Sequence, residues 1–342
     1  MHCLTLLRQL SAKLGRNLDL VQAGGGNTSL KDGGTLWVKA SGKWLIRAMD
    51  EEMFLPIPLA GIFRRLDEDR EYTGEFITAD GAALRPSVET SMHAVLPHRV
   101  VVHVHSVRTI AWAVREDAPE ALRDRLAGLR WEWVPYVHPG LILGKEIRAR
   151  LNTHPDVLVL GNHGLIVAAD DCDSAERLLE DVERRLDCPV RAAPGADLKA
   201  LAGMVPAGFR IAPDEEVHAL ATDPFSIEAA GLGTLYPDQC VYLGPGVAIL
   251  DADASATPAI ERFGHHHGAT PRVILVSGQG VLVADDLNRA GRELLISLKR
   301  VLERLDTTAK IRPLKPEQVA SLMNWDAEKY RIALASQYLS AG

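Results

Sequence analysis

His103 and His105 lie at alternate positions of the run Arg99-Val-Val-Val-His-Val-His-Ser106. Its four valines favour a strand, because branching at Cβ suits a pleated, half-buried backbone. Successive side chains of a strand point to opposite faces, so these two histidines point the same way. Two imidazoles on one face can share an ion, and their nitrogens suit zinc. On a solvated face the same pair would be inert, so the reading turns on a third ligand and a base. The turn Gly161-Asn162-His163-Gly164, between two apolar strands, can supply the ligand by holding His163 outward at a fixed angle. Glu89 can supply the base. Pro86 and Ser87 are helix-start residues for a helix to about His98, on which Glu89 and His93 share a face. As a lone pair those two would be a surface contact; a helix leading at once into the histidine strand instead brings Glu89 beside the ion.

Two small-residue stretches could receive the rest of a ligand. In Ala23-Gly-Gly-Gly-Asn-Thr-Ser29 three glycines allow close backbone approach, and Asn27, Thr28 and Ser29 add side-chain donors. Ala40-Ser41-Gly42 follows a strand over 35–40, with Lys39 and Lys43 as nearby charge. Neither stretch is a Walker A loop or a G-x-G-x-x-G fingerprint.

The elements that must position these groups read as α/β. Leucines at helical spacing place a helix at 4–14. Strands are expected at 156–160 and 165–169, then a helix to about Leu186 that opens on a capping box of Asp173 and Glu176. Residues 72–83 read as a loop or edge hairpin. The Pro- and Gly-rich stretch 191–208 reads as a linker between a first domain, 1–190, and a second α/β unit, 209–342. Pro155 to Asp170 is echoed by Pro271 to Asp286, each a strand, a glycine turn, a strand and an acidic cap before a long helix. Gln279 stands in the echo where His163 stands in the first copy, and glutamine is a poor zinc ligand. The second unit therefore reads as a degenerate relative of the first, serving structure or assembly. His265, His266 and His267 are expected in a loop.

With 342 residues, 47% hydrophobic and 24% charged, the chain has an ordinary globular composition. A net charge of −7 argues against nucleic-acid binding. No run is apolar enough to span a membrane. Four scattered cysteines without a C-x-x-C pair suit reduced thiols in the cytoplasm.

In this order, Gly25-Gly-Asn-Thr-Ser29, Ala40-Ser-Gly42, Pro86-Ser-Val-Glu89, His103-Val-His105 and Asn162-His-Gly164 resemble the class II aldolase/adducin superfamily. The chain looks most like the aldolase part of bifunctional rhamnulose-1-phosphate aldolase/dehydrogenase proteins and is also similar to fuculose-1-phosphate aldolase. The resemblance implies a three-layer α/β/α domain with a central, mostly antiparallel sheet. It implies Zn2+ (or another divalent metal) on His103, His105 and His163, Glu89 as acid/base, and a substrate phosphate on Asn27, Ser41, Gly42 and Ser87. The implied function is a lyase that makes or breaks a C–C bond of a ketose 1-phosphate or related sugar phosphate through an enediolate, in a homo-oligomer. An epimerase, dehydratase or decarboxylase with the same metal site, or a non-catalytic adducin-like assembly module, are the alternatives. Val88 stands where the family often has a second serine.

Overall fold

The computed structural model describes residues 2–77, 81 and 83–337. Its strands in chain order are β1 (Asn27–Asp32), β2 (Thr35–Lys39), β3 (Phe54–Pro58), β4 (Phe76–Ile77), β5 (Ala83–Leu84), β6 (Val100–Val104), β7 (Trp131–Val134), β8 (Val157–Leu160), β9 (Gly164–Ala169), β10 (Phe209–Ile211), β11 (Ala248–Leu250), β12 (Val273–Val276) and β13 (Gly280–Ala284). The first unit is built on a seven-stranded sheet, β3-β2-β1-β6-β9-β8-β7. Every neighbouring pair in it is antiparallel except β7 and β8.

The histidine strand β6 is the middle strand of this sheet and is buried throughout. Alternation sorts its valines onto two helical layers. Val100, Val102 and Val104 pack toward helices His2–Gly15 and Cys172–Arg185. Val101 packs toward helices Thr90–Val95 and Leu141–Arg148. His103 shares the face of Val101, so the sheet presents it to the layer that carries Glu89.

The second unit holds a four-stranded sheet, β10-β13-β12-β11, with only β11 and β12 parallel. Its order and strand directions repeat those of β6-β9-β8-β7. The likeness extends to the hairpin corners. Asn162 and Gly278 both have left-handed backbone, with φ of 52° and 73°. Their amides donate to the carbonyls of Ala113 (3.1 Å) and Ala221 (2.7 Å), each near the end of a short helix, Val107–Ala113 and Ala219–Thr222. Each hairpin then leads into a long helix, Cys172–Arg185 or Arg289–Leu302. The units also share apolar core: Val107, Ile110, Ala111 and Val114 pack in one cluster with Leu294, Leu298 and Val301.

Several local expectations are corrected. The helix expected from Pro86 to His98 spans only Thr90–Val95, and Glu89 caps it rather than lying within it. Asn27, Thr28 and Ser29 are not in a loop but open β1, so alternation sends Thr28 to the opposite face from Asn27 and Ser29. Asp171, not Asp173, caps the following helix, accepting from Ser174 N at 2.7 Å. His265–His267 end a helix, Ala256–His267. The stretch 191–208 contains a helix, Leu198–Ala202, and Arg191 is fastened to Asp223 at 2.5 Å. The stretch 72–83, expected as a loop or edge hairpin, holds β4 and the first residue of β5, which pair with each other in a sheet of their own; residues 78–80 and 82 lie outside the described residues.

Candidate metal and substrate site

The three histidines meet. Ring centroids lie 4.9 Å apart for His103 and His105, 5.0 Å for His103 and His163, and 5.2 Å for His105 and His163. One nitrogen from each lies within 4.8 Å of the others, and all three residues are buried. β6 carries His103 and ends one residue before His105. The corner between β8 and β9 brings in His163, through the left-handed Asn162 that precedes it. Gly164 is needed there, because a Cβ would stand 2.5 Å from the Val104 carbonyl oxygen.

The hydrogen-bond partners fix the tautomers. His103 Nδ1 faces the Leu165 carbonyl oxygen at 3.0 Å, and His105 Nδ1 faces an Asp238 carboxylate oxygen at 2.8 Å. A carbonyl and an ionised carboxylate only accept, so both Nδ1 atoms carry the hydrogen. Burial, above the other influences, lowers His103 to about 4 and His163 to about 3, so these rings are neutral at pH 7. The Nε2 atom of His103 then turns a bare lone pair toward Nε2 of His105, 3.1 Å away. Two ring nitrogens facing each other in a buried site suit a shared cation. Two nitrogens bound to one tetrahedral zinc stand about 3.4 Å apart, close to the observed spacing. The buried histidine triad could therefore hold a metal.

Glu89 closes the cluster. Oε2 lies 3.5 Å from His103 Nε2 and Oε1 lies 3.4 Å from His163 Nε2. Asn27 Nδ2 donates to Oε2 at 2.8 Å, whereas buried Oε1 makes no hydrogen bond among the described residues. Burial pushes this carboxyl up, but the imidazoles and the Asn27 amide outweigh it and bring it down to about 2. Glu89 is therefore ionised at neutral pH.

Each expected substrate-binding residue lines the same pocket: Asn27, Ser41, Gly42 and Ser87, with His105, His163 and Glu89. Their hydrogen bonding separates them. Asn27 donates to both Glu89 and Ser87 Oγ (3.1 Å), and its oxygen faces His93 Nε2. Both of its amide hydrogens are thus engaged. Ser87 Oγ accepts from Asn27 and from the Glu89 amide (3.2 Å), which leaves its own hydrogen free to donate into the pocket. Lys39 is fully buried on the pocket wall and ties the two glycine stretches together, donating to the Gly24 (2.8 Å) and Lys43 (2.7 Å) carbonyls. Burial, helped by the charge of Arg331, lowers it to about 7.

Sequence reasoning missed four contributors. His93 orients Asn27 and is itself held by Ser29 Oγ at 2.7 Å; the shared face of Glu89 and His93 was a signal for proximity but not for Asn27 between them. Asp238, Glu328 and Arg331 come from the second unit and line the pocket. Arg331 donates to both Glu328 oxygens (2.8 and 2.9 Å) and to Asp238 (3.1 Å). Glu328 and Arg331 stand at the i, i+3 spacing of an ordinary helix ion pair, and Asp238 lies 93 residues before Arg331, so no local pattern marks them as site residues. Tyr136 packs against the second unit's core.

Residues 6–189 match the family model described as the class II aldolase and adducin N-terminal domain. The chain belongs to this family. Among curated proteins, the uncharacterized oxidoreductase YuxG of Bacillus subtilis (strain 168) is 31% identical over 170 residues, covering 45% of this chain and 24% of YuxG. The chain thus spans only about a quarter of that relative's length. Among solved structures, the N-terminal class II aldolase domain of a conserved Thermoplasma acidophilum protein is 26% identical, covering 53% of this chain and 90% of that one, with a TM-score of 0.44. The L-fuculose-1-phosphate aldolase of Thermus thermophilus is 19% identical over 54% of this chain and 91% of that one, with a TM-score of 0.36. In this family member, no helix among the described residues is long and apolar enough to cross a membrane.

Proposed function

We propose that this class II aldolase family member is a lyase that makes or breaks a carbon–carbon bond in a ketose 1-phosphate or related sugar phosphate. The observation that carries the reading is the pair of facing Nε2 atoms 3.1 Å apart, each ring locked by a partner that only accepts. His103, His105 and His163 would hold a divalent cation, zinc by ligand type. When bound, it would polarise a ketose carbonyl and stabilise the charge that develops there.

The remaining steps belong to the chain's own side chains. In bond formation Glu89, ionised and carrying one oxygen without a hydrogen bond among the described residues, takes the proton from the carbon beside the substrate carbonyl. Asn27, fixed by His93, holds the other oxygen so that the free one keeps its aim. In cleavage, the C–C electron pair stays with the ketose-derived fragment. The hydroxyl across the breaking bond gives up its proton to Glu89 as its carbon becomes an aldehyde. Protonated Glu89 then returns a proton to the fragment. Ser87 and Ser41 donate hydroxyls to the phosphate, the Gly42 turn lets it approach the backbone, and Lys39 supplies counter-charge. Asn27 contributes mainly by holding Glu89 and Ser87. Residues 1–190 carry the groups that meet the substrate, and the protein works as a homo-oligomer in the cytoplasm, with no nucleic-acid partner.

The test is product analysis with a panel of ketose 1-phosphates and matched unphosphorylated sugars. Release of an aldehyde and a three-carbon ketone phosphate is the expected result. Recovery of an epimer, a dehydrated product or carbon dioxide would replace cleavage by another reaction of the same site.

A further inference from the structure

The second unit reaches the candidate metal ligands directly. Asp238 lies 133 residues beyond His105, yet its carboxylate is 2.8 Å from His105 Nδ1 and is 2% exposed. It opens the helix Pro237–Leu243, next to Pro237 at its start. Its second oxygen accepts from Arg331 at 3.1 Å, and Arg331 is fastened in turn to Glu328. The first unit makes room for the contact: a Cβ on Gly25 would meet Asp238 at 2.7 Å and His105 at 2.9 Å. The carrier of His163 is gripped from the same side, because Asn162 Nδ2 donates to the Leu235 (2.9 Å) and Arg312 (2.7 Å) carbonyls. Thus two of the three imidazoles depend for their aim on residues beyond position 230.

We propose that Asp238 is a positioning residue for the metal centre: it holds His105 in the Nδ1–H tautomer so that Nε2 faces the ion, and the second unit thereby completes a site whose ligands all lie in the first. The inference rests on the metal reading of the histidine triad. A carboxylate behind a metal-bound imidazole fixes its orientation and raises its basicity, and its loss costs about 10- to 100-fold in metal affinity. Arg331 and Glu328 hold Asp238 on His105.

The experiment uses the full chain and Zn2+ as probe, with affinity measured by competition against a chromophoric chelator. Asp238→Asn should weaken Zn2+ binding by about 10- to 100-fold while the melting temperature of the metal-free protein stays close to wild type. A folded Asp238→Asn protein whose affinity is within about twofold of wild type would overturn the inference. Should the variant not fold, the wild-type protein still decides the matter. Ring-nitrogen NMR of histidine-labelled, metal-free protein should report His105 protonated at Nδ1, and a proton on Nε2 would reject the proposal. Wild-type protein that binds no Zn2+ would remove the metal reading itself, whereas stoichiometric wild-type binding with an indifferent variant removes only the role of Asp238.

Discussion

Asn27 donates its amide to one carboxylate oxygen of Glu89 at 2.8 Å and leaves the other, 3.4 Å from His163 Nε2, with no hydrogen bond among the described residues. The two residues are 62 apart in sequence and meet because β1 pairs with β6, placing Asn27 opposite His103. The division of labour between the two oxygens separates holding from proton transfer. Glu89→Gln preserves shape and loses the basic oxygen. It should keep the metal and lower turnover by about 10²- to 10⁴-fold. Metal content and kcat measured on one preparation check this, and turnover near wild type would remove Glu89 as the base.

His163 and Gln279 occupy corresponding positions in two hairpins whose preceding residues are both left-handed. His163→Gln would give the first hairpin the chemistry of the second. With one imidazole lost, Zn2+ affinity should fall by at least about 10-fold, since glutamine oxygen is a weak zinc ligand. The melting temperature without metal should move little. Equilibrium dialysis reads the affinity; an unchanged value would mean that His163 is not a ligand.

Gly25 is held to glycine by contact rather than by backbone angle. In Gly25→Ala the new Cβ would crowd Asp238 and His105, and overpacking of this kind costs about 1–3 kcal/mol. Gly195→Ala is the control, since its Cβ would meet nothing within 4 Å among the described residues. Denaturant melts should show the loss in the first variant alone, and equal stability of the two would contradict the described packing.

Lys31 tests the electrostatics of β1, an interior strand of the sheet. Its ammonium donates to the His98 carbonyl at 2.8 Å, and burial lowers it from 10.5 to about 7. A base depressed in the folded state penalises folding fully below pH 7, and the penalty fades as pH rises from 7 toward 10.5. Lys31→Met should therefore gain most over wild type at or below pH 7, and the gain should shrink toward pH 10. Unfolding midpoints at pH 6.5, 8 and 9.5 check the sign, and a gain that grows with pH would refute it.

The sequence carried the parts of this site that lie within one strand or one turn. Alternation in Val100–His105 was enough to place His103 and His105 together, and glycines around Asn162-His163 marked the corner that delivers the third ring. The extent of the helix after Pro86 was not legible, because Ser87 is drawn into hydrogen bonds with Asn27 and Glu89 before the helix starts. Thr28 read as a pocket donor, yet it bonds Ser11 at 2.7 Å on the opposite face of the sheet. Asp238 and Arg331 were silent for a different reason: their meaning depends on how the second unit docks, which no local pattern encodes. The repeat was legible as a string, but the matching strand directions of β6-β9-β8-β7 and β10-β13-β12-β11 only emerge once the sheets are formed.

The central claim is that three imidazoles grip one divalent cation. Elemental analysis of protein purified without chelator tests it most directly, with His103→Ala alongside. The account predicts about one equivalent of zinc or another divalent metal per wild-type chain and loss of it in the variant. Wild-type protein with less than about a tenth of an equivalent, which also fails to take up added Zn2+, would contradict it.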